Sequence, residues 1–307
     1  MTAAAYDEFG LFHENIAEFG LDADPHPAVR RQDVAVDAGG RHVSVLVWGE
    51  GEPELVLVHG GAQNAHTWDT VALALGVPLI AVDLPGHGHS GWRDDGAYTP
   101  ANLAADVATA VAALAPQAKA VVGMSLGGLT SIEFAYAHPE LVRELVLVDV
   151  TPGVNQQKAK AVHDFVNGPQ SFASFDDLLA RTIEHNPTRS ESSLRRGILH
   201  NAHLTAAGDW EWNYDRRSTA RTREADGPDE DPVASTFSVL WDHLGELRCP
   251  ITLVRGSISP VVDDEDVAEC RRRQPGIVVH VVDGAGHSVQ GDRPLELAAL
   301  LRPVLAG

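Results

Sequence analysis

The apolar positions of this chain fall into short continuous runs set between longer stretches of mixed character. ELVLV (54–58), PLIAV (78–82), AVVGM (120–124) and ELVLV (144–148) are four such runs. A strand buried on both faces reads this way, because neither face needs polar residues. ITLVR (251–255) and IVVHVV (277–282) resume the pattern late in the chain. HVSVLVW (42–48) follows a Gly39-Gly40 turn and predicts a hairpin with DVAV (33–36). Between the runs lie segments of helical composition and spacing. They are 101–115, the stretch after AVVGM to about residue 137, 264–273 and 293–305. Residues 7–19 predict a further short amphipathic helix.

Strands that alternate with helices argue for a parallel sheet covered by helices. The alternation stops between 153 and about 245, where the chain is polar, richer in Trp and broken by Gly and Pro. The expected organisation is therefore a core from 1–152 and 246–307, with 153–245 as a helical insertion over one edge of the sheet. EADGPDEDP (224–232) reads as an acidic loop within it.

Composition narrows the partners. The 307 residues are 44% hydrophobic, enough for a sizeable core. The formal net charge is −20, from 43 acidic and 23 basic side chains. Such a surface repels phosphate backbones and anionic lipid, so neither nucleic acid nor a membrane is expected as partner. The two cysteines, Cys249 and Cys270, form no CxxC pair and no disulfide framework. No basic segment followed by an apolar stretch opens the chain, and no apolar run reaches membrane-spanning length. A cytoplasmic protein is the expectation.

In open α/β sheets the chemistry gathers beyond the carboxyl ends of the strands. Directly after AVVGM comes Ser125, within Gly123-Met124-Ser125-Leu126-Gly127. GxSxG at a strand-to-helix junction is the setting in which that motif carries weight. A sharp turn there exposes the hydroxyl at the start of a helix, where backbone N–H groups are free. After ELVLV (54–58) comes His59-Gly60-Gly61-Ala62. The backbone N–H groups of Gly61 and Leu126 are the candidate oxyanion donors. After IVVHVV comes Asp283-Gly284-Ala285-Gly286-His287-Ser288, and His287 is the candidate general base and acid. His59 leads a glycine loop and reads as structural.

HGGAQNAHTW (59–68), DLPGHGHS (83–90), GMSLGG (123–128), ELVLVD (144–149) and GAGHS (284–288) occur in order along the chain. Together they resemble the α/β-hydrolase superfamily. The fuller wording is similar to actinobacterial, particularly mycobacterial, ester hydrolases of that fold. The resemblance implies an eight-stranded, mostly parallel sheet with helices on both faces and a helical cap over the serine. It implies a serine hydrolase that cleaves small acyl esters through an acyl-enzyme, without a cofactor or metal. Thioesters, lactones, C–C bonds and a haloperoxidase-like reaction would use the same residues, and a non-catalytic ligand-binding protein is the alternative of another class. His87 and His89 form an HxH pair, but the resembling segment is a structural turn anchored by Asp83. Trp210, Trp212, Tyr214 and Trp241 could line an acyl pocket or pack the insertion, and Trp68 and Trp92 are open in the same way.

The third member of a Ser-His triad is less obvious. Proteins of the resembling family usually carry an acid in a G-x-x-D pattern after the strand at 251–255. Here that pattern reads Gly256-Ser257-Ile258-Ser259, and serine cannot hold the charge. Some haloalkane dehalogenases carry their acid at the end of the earlier strand, where this chain has Asp149. Asp149 is therefore the expected acid, with Asp263, Asp264 and Asp266 as alternatives beginning the next helix.

Overall fold

The computed structural model describes residues 6–23, 26–217 and 232–306. The strands of the main sheet are β1 (Val29–Ala35), β2 (His42–Trp48), β3 (Leu55–Val58), β4 (Leu79–Val82), β5 (Ala120–Met124) and β6 (Leu145–Val148). Three shorter strands follow, β7 (Ser171–Phe172), β8 (Ala202–Leu204) and β9 (Trp210–Trp212). β10 (Ile251–Gly256) and β11 (Val278–Val282) complete the main sheet. The α-helices are α1 (Phe12–Phe19), α2 (Asp69–Leu75), α3 (Pro100–Leu114), α4 (Leu126–Ala137), α5 (Lys160–Val166), α6 (Phe175–His185) and α7 (Glu191–Asn201). They continue with α8 (Pro232–Glu246), α9 (Asp264–Arg273), α10 (Val289–Asp292) and α11 (Pro294–Leu305).

The eight-stranded sheet runs β1-β2-β4-β3-β5-β6-β10-β11. The β1–β2 hairpin is antiparallel with Asp33 opposite Ser44, and β2 meets β4 antiparallel. Every pairing from β4 to β11 is parallel. Successive residues of a strand face opposite sides of a sheet. Val56, Val58, Val121, Leu145 and Leu147 accordingly join one core with α3 and α4. Leu55, Leu57, Val122, Val146 and Val148 join the other with α2 and α11. Both faces are dry, which explains the unbroken apolar runs. Leu57 is fully buried. Leu57→Ala is expected to cost about 2–5 kcal/mol, read as a lowered midpoint in urea unfolding.

Local signals set the helix limits. Thr99 caps α3 through the N–H of Asn102, and Pro100 occupies its first turn. The amphipathic segment expected at 7–19 is helical only from Phe12 and ends at Gly20 in the left-handed region.

Residues 160–212 hold α5, α6 and α7 together with an antiparallel sheet in the order β7-β9-β8. That small sheet departs from the purely helical expectation. Its strands have two or three residues, too few for a period to be visible. Phe172, Leu178, Ile198, Trp212 and Tyr214 form its own apolar cluster, which closes over Ala62. α8 lies differently, with Leu240 and Leu244 packed in the core beside α4. The acidic stretch 224–231 lies outside the described residues.

Candidate active site

Ser125 stands between β5 and α4 with φ 51° and ψ −121°. Only glycine fits on either side. A Cβ on Gly123 would lie 2.5 Å from the Gly127 carbonyl oxygen, and one on Gly127 would lie 2.4 Å from the carbonyl oxygens of Val58 and His59. The elbow is thus pressed against the end of β3, which brings the serine beside the HGGA loop.

The His287 ring bridges two residues that are far apart in sequence. Its Nε2 lies 3.0 Å from Ser125 Oγ, and its Nδ1 lies 2.7 Å from Asp149 Oδ2. A carboxylate oxygen only accepts, so the proton sits on Nδ1 and Nε2 is left as the acceptor. Asp149 is fully buried. A buried charge is tolerated only when it is well bonded. Here Oδ1 accepts from the Gly256 N–H at 3.0 Å, and Oδ2 accepts from Ser259 Oγ at 2.5 Å as well as from His287. The histidine loop is fixed too, with the Gly286 N–H donating to Asp292 Oδ2 at 2.7 Å.

Asp263, Asp264 and Asp266 are elsewhere. Asp263 and Asp266 form a reciprocal capping box at the start of α9. Lys158 Nζ pairs with both, at 2.9 and 2.7 Å. Asp264 pairs with Arg255. The carboxylate brought to His287 is Asp149.

Three described residues other than glycine have positive φ, namely Ala62, Ser125 and Asp149. Strain of this kind persists only where the surroundings over-determine it, and it gathers at functional sites. All three line the same sheet edge. GxSxG announces the sharp turn at Ser125, whereas no pattern in the sequence announces the strain at Ala62 or Asp149.

In the HGGA loop, His59 is buried and fully engaged. Its Nδ1 donates to the Gly60 carbonyl at 2.7 Å and its Nε2 accepts from the Leu84 N–H at 2.9 Å. Burial lowers its pKa, so it is a neutral strut. Among the described residues, no acceptor is recorded for the N–H of Gly61 or of Leu126. A Cβ on Gly61 would lie 3.8 Å from Leu126 Cδ2, so these two N–H groups belong to adjoining backbone. The loop is tied to α7 from above. Asn201 Nδ2 donates to the Ala62 carbonyl at 2.8 Å, and Asn64 Nδ2 donates to the His200 carbonyl at 2.8 Å. Sequence reasoning missed both asparagines, since neither belongs to a motif of fixed spacing.

One described group has the composition of a metal site, the buried trio His66, Asp69 and His200. Three of the four ring nitrogens are already committed, and His200 Nε2 lies 3.7 Å from Asp69 Oδ2. His66 bonds Asp69 Oδ2 at 2.9 Å and Glu8 at 3.1 Å, and His200 Nδ1 bonds the Tyr6 hydroxyl at 2.5 Å. The two rings stack at 3.8 Å with 7° between planes, so their in-plane lone pairs do not converge on one ion. The trio is a charge network joining the N-terminal segment to the core. Burial pushes the His66 pKa down, but the Asp69 and Glu8 carboxylates outweigh it and raise it to about 9. A histidine raised on folding stabilises fully below its unfolded pKa and loses that contribution as pH climbs through the folded value. Unfolding free energy is therefore expected to fall between about pH 6.5 and 9, by on the order of 3 kcal/mol. Urea titrations across that range test it, and His66→Gln should flatten the dependence.

The remaining candidates are structural in their contacts. Asp83 accepts from the Ala65 and His89 N–H groups at 2.7 and 3.0 Å and pairs with Arg31 at 2.7 Å. His87 is buried against Tyr214, and burial lowers its pKa to about 3. Trp68 lies wholly in the core, Trp92 is half-exposed, and Trp241 packs beneath Arg273. Trp212 lines a polar cavity of about 120 Å³ beside Ala62 and Gln63. Cys249 and Cys270 are unpaired. Among the described residues, no helix is long and apolar enough to cross a membrane.

Comparison with known proteins bears on the fold and the family. The chain is 45% identical over 306 residues to the esterase Rv0045c of Mycobacterium tuberculosis, covering 97% of this chain and 96% of that one. Two structures of that esterase superpose with TM-scores of 0.85 and 0.82 at 43% and 44% identity, over 99% of this chain and 100% and 99% of theirs. A 3-hydroxybutyrate-oligomer hydrolase of Cupriavidus necator is 27% identical over 85% of this chain and 92% of its own length. Residues 53–294 match the family model described as the alpha/beta hydrolase fold. With that match and this sheet order, the chain belongs to the α/β-hydrolase family.

Proposed function

We propose that this protein is a carboxylic ester hydrolase working through an acyl-enzyme on Ser125. The observation that carries the reading is the continuous hydrogen-bonded line from Ser125 through His287 to Asp149. The esterase Rv0045c, similar over nearly the whole chain, adds the substrate class.

Ser125 Oγ attacks the ester carbonyl carbon while His287 Nε2 takes its proton. The carbonyl π pair moves to oxygen, and the resulting oxyanion is held by the N–H groups of Gly61 and Leu126. Such donors act where charge develops, each contributing about 2.7–4 kcal/mol in comparable enzymes. The C–O bond to the leaving group then breaks, and the imidazolium returns its proton to the departing alcohol. Water repeats the sequence on the acyl-enzyme and releases the acid. Asp149 holds the Nδ1–H tautomer and stabilises the imidazolium. No metal or cofactor is required by this cycle.

Residues 153–245 would form the cap that selects the acyl group, with Phe165 and Trp212 presented toward Ala62. A cytoplasmic setting belongs to the same proposal, supported by two unpaired cysteines. The net charge of −20 disfavours nucleic acid as a partner. The test is a panel of chromogenic acyl esters, thioesters and lactones of graded chain length, with fluorophosphonate labelling. Ester turnover and a label on Ser125 are expected. An intact folded protein that neither labels nor turns over any acyl substrate would be a binding protein instead.

A further inference from the structure

The residue that occupies the empty acid position lies one atom from the imidazole. Ser259 Oγ is 2.5 Å from Asp149 Oδ2, the same oxygen that receives His287 Nδ1 at 2.7 Å. The hydroxyl has one proton, and the direction of that proton is decided by its other bond. The Val261 N–H donates to Ser259 Oγ at 3.2 Å, so the oxygen is already an acceptor there. Asp149 can only accept, so the Ser259 proton points at Oδ2. The opposite oxygen is held by the Gly256 N–H at 3.0 Å. The turn that carries Ser259 is itself closed, with the Ser259 N–H on the Gly256 carbonyl at 3.3 Å.

The backbone alone gives Asp149 an incomplete anchorage. Gly256 holds Oδ1 but leaves the carboxylate free to swing about that bond. Ser259 removes the swing and sets Oδ2 on the imidazole. We propose that Ser259 is a positioning residue for the triad, acting on His287 through Asp149. The inference rests on the proposed acyl-enzyme reading. It carries a corollary about position 259. With the side chain at 149 removed, an aspartate at 259 would place Cγ near the present Oγ and its oxygens about 1.2 Å farther on, in the space Oδ2 now fills. The acid function is thus transferable from 149 to 259.

Six variants test this with kcat and KM measured separately on one chromogenic ester. Ser259→Ala should lower kcat about tenfold to a hundredfold with KM unchanged, the loss carried by one hydrogen bond to a charged group. Ser259→Thr, which keeps the hydroxyl, should recover most of it. Asp149→Gly with Ser259→Asp should exceed Asp149→Gly alone by at least about a hundredfold, out of the roughly 10⁴ available, and glycine accepts the positive φ at 149. Asp149→Gly with Ser259→Ala should show no such gain. A Ser259→Ala variant that loses thermal stability but keeps kcat within twofold would overturn the positioning role. So would a threonine variant no better than alanine. If Ser259→Ala does not fold, the double variant decides, and no gain over Asp149→Gly refutes the proposal. Ser125→Ala separates the two levels. Hydrolysis surviving in Ser125→Ala defeats the acyl-enzyme reading itself, whereas an inactive Ser125→Ala beside an unaffected Ser259→Ala defeats only this inference.

Discussion

Ser125→Ala is expected to lower kcat for ester hydrolysis by about 10⁶-fold, the size of loss found when a serine protease is deprived of its nucleophile. The reason is chemical rather than structural. Alanine has no atom to form the acyl bond, and water would have to attack directly from a position that the elbow does not prepare. The fold should be indifferent to the change. The strained φ of 51° is imposed by Gly123 and Gly127 packing and not by the hydroxyl, and among the described residues Ser125 Oγ bonds only His287. The measurement is kcat on a chromogenic ester, together with loss of fluorophosphonate labelling and an unchanged melting temperature. Residual turnover within a hundredfold of wild type would mean that another group supplies the nucleophile.

Asp149→Asn should cost about 10⁴-fold in kcat. The substitution preserves shape and removes charge, so its effect reports the role rather than the packing. The Gly256 N–H fixes which atom of the asparagine can be the oxygen, because that donor needs an acceptor at 3.0 Å. The amide NH₂ then faces both Ser259 and His287. It presents a donor to Nδ1, so the ring must carry its proton on Nε2, directed at Ser125. A base with its proton already in place cannot take another. Asp263→Asn is the control, since it keeps an acceptor for the cap of α9, weakens the pair with Lys158 and leaves the histidine alone. It should lower stability by up to about 1 kcal/mol, the size of a partly exposed ion pair, and leave kcat unchanged. The reverse outcome, with the loss at position 263, would transfer the acid role to the alternative carboxylates.

What the sequence made legible follows from how local each feature is. The runs at 54–58 and 120–124 announce buried strands because every residue in them is apolar. Ser125 and His287 are legible because each lies in a short motif just after a strand. Asp149 is legible only through the family resemblance, which puts the usual acid position at Ser259 and, in some relatives, the acid at the strand end where Asp149 lies. Nothing local could show that Ser259 and Asp149 touch, because 110 positions separate them. Asn64, Asn201 and the His66–Asp69–His200 network were hidden for the same reason. Their meaning lies in pairings across the fold. The small sheet of β7, β8 and β9 was hidden by its brevity.

The bonds from Asn201 to Ala62 and from Asn64 to His200 bear on how this enzyme could be altered. In the proposed reading residues 153–245 select the acyl group, and these bonds make that segment a poor interchangeable part. Grafting another segment onto this core to change acyl preference would also remove the side chain that holds the Ala62 peptide in its left-handed turn. Such a chimera should bind its new ester and yet turn it over slowly. Restoring an asparagine opposite Ala62 would be the first repair. A lineage that reshapes its substrate preference here must therefore conserve one amide while it varies the residues around it.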